Sequence, residues 1–262
     1  MTGPSYHALL AVDIESYGRR TELVQGAVRG TMYACVQQAA GESGLPWDDC
    51  VALDRGDSII LLVPPSVAPT VLLDPFVARL DRVLRGHRVL SSGTAAVRLR
   101  VAVHAGFISP DERGWMGTAI NSTCRMLDAQ LLRDVLAAST RADVALIVSD
   151  NFYQAMVIQG HVQLDATTFH PVRVRQKETD LRAWVHVPGY PRPDGLPADE
   201  DGEPPTTTAA DAATAADAAT AADAATGAAP ANGGGPRIGG HAKVGGGIAG
   251  GDIHVSFGGG LR

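Results

Sequence analysis

Residues 7–18 read HALLAVDIESYG, and residues 53–62 read LDRGDSIILL. The first stretch is an apolar run that ends on an acid, Asp13, and passes into a small polar loop. A short apolar run bounded by loop residues is the pattern of a strand buried on both faces. The second stretch places two apolar segments around Gly56 and Asp57, the composition of a tight turn between paired strands. Between them, residues 18–44 carry helix-forming residues with a glycine at the end, as a helix stop requires. Working outward, residues 69–87 read as a second helix and residues 97–109 as a long strand. Residues 117–139 read as a third helix, and residues 143–150 as a strand followed by a short helix over 151–159. Residues 171–189 read as a closing hairpin. The order predicts an α+β fold, a ferredoxin-like βαββαβ core with an extra helix and the hairpin added.

The remainder of the chain is of another kind. Of 262 residues, 45% are apolar and 19% charged, but these averages cover two unlike parts. Residues 5–190 alternate apolar and charged segments as a folded domain does. Residues 191–236 are first rich in Pro and acids and then repeat AADAAT, with Asp211, Asp217 and Asp223 in register. Neither part has an apolar stripe to bury, so both read as linker. Residues 237–262 are Gly-rich, with DIHVSF alternating apolar and polar side chains. That end reads either as a disordered tail or as a self-associating segment able to pair strands with another copy. The formal net charge of −6 argues against a nonspecific nucleic-acid binder. Three cysteines, Cys35, Cys50 and Cys124, lack the spacing of a disulfide scaffold or a zinc site. No apolar run is long enough for a membrane span, and the expectation is a soluble cytoplasmic protein.

Chemistry enters through four motifs. Asp13 ends the first strand, and Asp57 sits in the hairpin that such a fold places beside it. Two carboxylates there suit Mg²⁺ or Mn²⁺, hard ions that share oxygen ligands with phosphates. The helix start after Asp13 offers backbone N–H groups to those phosphates. Asn121 and Arg125 are four apart and share a helix face, where they can orient a ribose and neutralise growing phosphoryl charge. Lys177 lies in the closing hairpin as a phosphate partner. Each motif singly also reads as an ordinary strand end, turn, polar stripe or exposed lysine. His104 reads as a strand residue and Cys124 as helix packing.

Jointly the motifs resemble the class III nucleotidyl cyclase family, the adenylate/guanylate cyclase homology domain, over residues 5–188. VDIESYG is similar to the family's first metal-aspartate motif, and LDRGDSIILL to its Gly-Asp hairpin. GTAINSTCRMLDA is similar to its G-x-x-(V/I)-N-x-x-x-R helix. The resemblance implies cyclisation of a nucleoside triphosphate with release of pyrophosphate, assisted by two divalent ions, Mn²⁺ or Mg²⁺. It assigns the metal to Asp13, the Ile14 carbonyl and Asp57, catalysis to Asn121 and Arg125, and substrate binding to Tyr17 and Lys177. It also implies a homodimer in which one subunit gives the acids and the other gives Asn121, Arg125 and Lys177.

Leu53 and Gly114 stand where adenylate cyclases carry the Lys and Asp that select adenine, and the guanylate pattern is missing too. Leu53, Arg55 and Asp57 alternate onto one strand face, so Arg55 is a candidate donor to a uracil carbonyl, or else an ordinary hairpin arginine paired with Asp54 or Glu15. An R-x-G-D-like hairpin without the purine pair is similar to the pyrimidine cyclases of bacterial antiphage (Pycsar) signalling. That resemblance favours UTP as substrate, cyclic UMP as product and a separate cyclic-nucleotide-activated effector. The alternatives are a catalytically silent cyclase-like domain that binds nucleotide or a partner, and a scaffold whose Gly-rich tail assembles.

Overall fold

A computed structural model describes residues 3–176 and 179–197. The linker and Gly-rich segments beyond 197, and Lys177, lie outside the described residues. β1 (Ser5–Ile14) lies in the interior of the sheet. It pairs antiparallel with β3 (Ser58–Val63) on one side and with β4 (Leu99–Asp111) on the other. β2 (Val51–Asp54) caps the β3 edge, and β6 (Val144–Ser149) runs parallel to β4. β8 (Thr179–His186) and β7 (His170–Gln176) complete the order β2-β3-β1-β4-β6-β8-β7. The first four strands in space are those of the ferredoxin-like core, and the β7–β8 hairpin extends the sheet as the sequence predicts.

Strand alternation divides the core into two layers. Leu10, Val12, Leu61, Val101 and Val103 face α1 (Glu22–Ser43) and α2 (Phe76–Leu90). Leu9, Ala11, Ile60, Leu62, Ala102 and Ile147 face α3 (Thr118–Leu127) and α4 (Gln130–Ala138). A buried Leu or Ile side chain contributes about 1.5–3 kcal/mol of transfer energy, so a sheet covered on both faces accounts for the continuous apolar run in β1. Asp13 shares the parity of Leu9 and Ala11 and so belongs to the α3/α4 face.

Three expectations need correction. Residues 117–139 do not form one helix: the chain breaks at Asp128 and Ala129, where Ala129 adopts ψ 131°. The buried residues Ala119, Ile120, Thr123, Met126 and Leu127 occupy one side of α3. In a continuous helix Leu132, Val135 and Leu136 would fall on the opposite side at 100° per residue. Breaking the helix lets both sets face the sheet. The second helix starts at Phe76, because residues 69–72 form a separate 3₁₀ turn. The first helix starts at Glu22, after a 3₁₀ turn at Tyr17–Arg19, and ends as expected on Gly44 at φ 74°. A short return strand, β5 (Gly114–Met116), pairs with the end of β4 and was not expected. α5 (Asp150–Tyr153) follows β6 directly. No helix among the described residues is long and apolar enough to cross a membrane.

Candidate active site

The two acids meet at the end of β1. Asp13 is in register with Ser58, one position after Asp57, and the Ile14 N–H donates to the Asp57 carbonyl at 3.1 Å. The hairpin that delivers Asp57 is held from both sides. Gly56 adopts φ 88°, a conformation open to glycine at little cost. Its N–H donates to Asp54 Oδ1 at 2.7 Å, and Arg29 of α1 donates from Nε to its carbonyl at 2.8 Å. Arg29 also pairs with the Asp54 carboxylate. Asp54 therefore faces α1, whereas Leu53 packs half-buried into the α3/α4 layer.

A cavity of about 500 Å³ opens in front of Asp57. One wall is the loop after β1, including Ile14, Tyr17 and Arg19, and the other is α4 with Gln130 and Arg133. Because α1 begins only at Glu22, this loop and its 3₁₀ turn, rather than the helix start, border the acids. Tyr17 is half-buried and packs against the α1/α2 layer. Arg20 anchors the loop by donating to the carbonyls of Glu15 at 3.3 Å and Ala96 at 3.1 Å.

Sequence reasoning missed Arg100, which also lines this cavity. Its Nη2 donates to Asp13 Oδ1 at 2.5 Å. Burial raises the Asp13 carboxyl above the usual carboxylate range, Arg100 opposes that shift, and the charges of Asp57 and Asp128 add to it. The available signal was Arg100 amid the apolar residues of VRLRVAV, which also holds Arg98, because a charge there needs a buried partner.

Asn121 is exposed and Arg125 half-buried on the outer side of α3, away from that helix's apolar set. Neither lines the cavity beside the acids, and neither forms a side-chain hydrogen bond or ion pair among the described residues. Arg55 is exposed at the hairpin and is not paired with Asp54 or Glu15, whose partners are Arg29 and Arg98. Arg55 follows β2, which ends at Asp54, so it lies in the turn rather than on the strand face expected from alternation; its charge opposes the burial that raises the Cys124 thiol of α3. Gly114 sits in the β4–β5 turn, opposite Asp111. Cys124 is half-buried in the α3/α4 layer, and burial raises its thiol. His104 shares a hydrogen bond of 2.8 Å with Ser149 Oγ, and burial pushes its imidazole down to about 4.

The donor chemistry fits a divalent ion that shares its coordination. Mg²⁺ is commonly held by one or two carboxylates, with waters and phosphates in the remaining positions. Asp57 on the cavity wall and Asp13 beside it supply such a pair. Among the described residues no group of three or more His, Cys, Asp or Glu side chains gathers, so there is no all-protein cage.

No protein-family model matches the sequence, and no curated protein does. Solved structures do. The guanylyl cyclase Cya2 superposes with a TM-score of 0.50 at 12% identity, over 76% of this chain and 96% of that one. An adenylate/guanylate cyclase/hydrolase from Silicibacter pomeroyi gives 0.49 at 16%, over 72% of this chain and 100% of that one. The adenylyl cyclase CyaB from P. aeruginosa gives 0.45 at 10%, over 71% and 96%. By its likeness to Cya2, this chain has the fold of a nucleotidyl cyclase domain.

Proposed function

We propose that this protein is a nucleotidyl cyclase that converts a nucleoside triphosphate, UTP by preference, into a 3′,5′-cyclic nucleotide and pyrophosphate. The observation that carries the reading is that Asp13 lies beside Asp57, which lines a cavity, within a cyclase-type fold. Asp13, Asp57 and the Ile14 carbonyl would hold Mg²⁺ or Mn²⁺, which would screen the triphosphate and acidify the ribose 3′-hydroxyl. Tyr17 and the loop after β1 bind and orient the phosphates against the acids. Arg125 stabilises the charge that grows as the hydroxyl attacks the α-phosphorus in line. Asn121 positions the ribose, and Lys177 holds the outer phosphates.

Asn121 and Arg125 face outward and away from the acid cavity, which supports a homodimer whose second copy brings them to the acids. For the base, Leu53 is apolar and half-buried where a purine-reading lysine would be needed, and Arg55, exposed in the turn after β2, has no carboxylate partner among the described residues. That pair of features supports uracil recognition through its carbonyl oxygens. The product then serves a separate effector, as in antiphage signalling. Pyrophosphate release with Mn²⁺, in wild type and Asp57→Ala, tests the reading. Release lost in the variant is the expected result. Equal release by both proteins, or none from any of the four triphosphates, refutes it.

A further inference from the structure

Arg100 is a charged side chain inside an apolar strand, directly opposite Asp13 across β1 and β4. The two side chains form an ion pair at 2.5 Å, and each is only 8% exposed. The pair is incompletely satisfied. Arg100 Nε is buried without a hydrogen-bond partner, although a guanidinium carries five donors and favours bidentate partners. Arg100 also lines the cavity together with Ile14 and Asp57. A unit positive charge thus rests on the carboxylate that the proposed function gives to a divalent ion. A second cation arriving there meets that charge at short range, where repulsion is strong.

We propose that Arg100 is a resident counter-cation of Asp13 that a divalent ion displaces on binding, so that the ion pair holds the metal-free site closed. The inference rests on the assignment of Asp13 and Asp57 as metal ligands. The ion pair keeps the buried Asp13 charge compensated until a metal takes over that task, and the cavity gives the released guanidinium room. If the salt bridge only fastened β1 to β4, its removal would loosen the site and weaken metal binding.

The experiment is Mn²⁺ binding by the full chain without nucleotide, read from the free-ion electron paramagnetic resonance signal. Arg100→Met is expected to bind Mn²⁺ on the order of tenfold more tightly than wild type, and Arg100→Lys within about threefold of it. Unchanged or weaker binding by folded Arg100→Met overturns the proposal. If that variant does not fold, the wild type decides: the Arg100 Nε–H resonance, assigned with Arg100→Lys, must shift on addition of Mg²⁺. An unmoved resonance at saturation overturns displacement. Asp57→Ala separates the two levels of the claim. Weakened Mn²⁺ binding there, with no gain in Arg100→Met, removes only the displacement. Mn²⁺ binding that ignores Asp57 removes the metal site and the proposal with it.

Discussion

Helix α3 carries Asn121 and Arg125, and Gly106 of β4 is one of the glycines that let it approach the sheet. A Cβ added at Gly106 of β4 would lie 2.8 Å from the Cβ of Ala119. Carbon atoms pack comfortably at about 3.5–4.0 Å, so Gly106→Ala must push α3 outward or bend β4. Overpacking of this kind costs about 1–3 kcal/mol. For a domain of this size that lowers Tm by roughly 2–4 °C per kcal/mol. Ala119→Gly alone loses about 1 kcal/mol of helix propensity, but in the Gly106→Ala background it removes the clashing methyl. The double variant is therefore expected to be about 1 kcal/mol or more better than the sum of the single variants. Urea denaturation followed by circular dichroism gives all four corners of the cycle. Because Asn121 lies two residues beyond Ala119, pyrophosphate release should fall in Gly106→Ala and partly return in the double variant. A neutral Gly106→Ala, or strictly additive single variants, refutes the close approach as a determinant of α3 placement.

Two other outcomes follow from the same geometry. His104 has a folded value of about 4 against an ordinary 6.5, so the unfolded chain takes up the proton first as pH falls. Its stabilisation is complete above pH 6.5 and is lost between about 6.5 and 4, on the order of 3 kcal/mol. His186, also lowered by burial, acts in the same direction. Denaturation at pH 7, 5.5 and 4 should show the decline, and His104→Gln should flatten most of it; an unchanged slope in the variant contradicts the assignment. For the shared site, Asp57→Ala and Arg125→Ala should each be inactive. Mixed and re-equilibrated in equal amounts, half the dimers are mixed and each has one intact site, so about a quarter of wild-type activity returns. No recovery in verified mixed dimers contradicts acids and arginine from different subunits.

The sequence made the parts of the fold governed by local pattern plain. HALLAVDI could only be a buried strand, and the Gly-Asp turn fixed the hairpin beside it, so the meeting of Asp13 and Asp57 was legible. The break between α3 and α4 was hidden because Asp128 and Ala129 are both acceptable in a helix, and Ala129 is a strong helix former. What breaks the helix is the phase slip between the Ile120 and Leu132 apolar sets, a tertiary demand visible only when the two sets are compared. Arg100 was hidden for a different reason. Its pairing with Asp13 depends on the register of β1 against β4, and no local signal carries that register. The pairing of Asp54 with Arg29 likewise follows from α1 lying beside the hairpin, which sequence spacing does not show.

The most direct test of the central claim is to incubate the purified protein with Mn²⁺ and all four nucleoside triphosphates together and identify the products by mass spectrometry. The expected products are pyrophosphate and a 3′,5′-cyclic nucleotide, with cyclic UMP dominant and absent from the Asp57→Ala reaction. Cyclic AMP or cyclic GMP as the main product would contradict the reading of Leu53 and Arg55. No cyclic product from any of the four would contradict the enzyme itself.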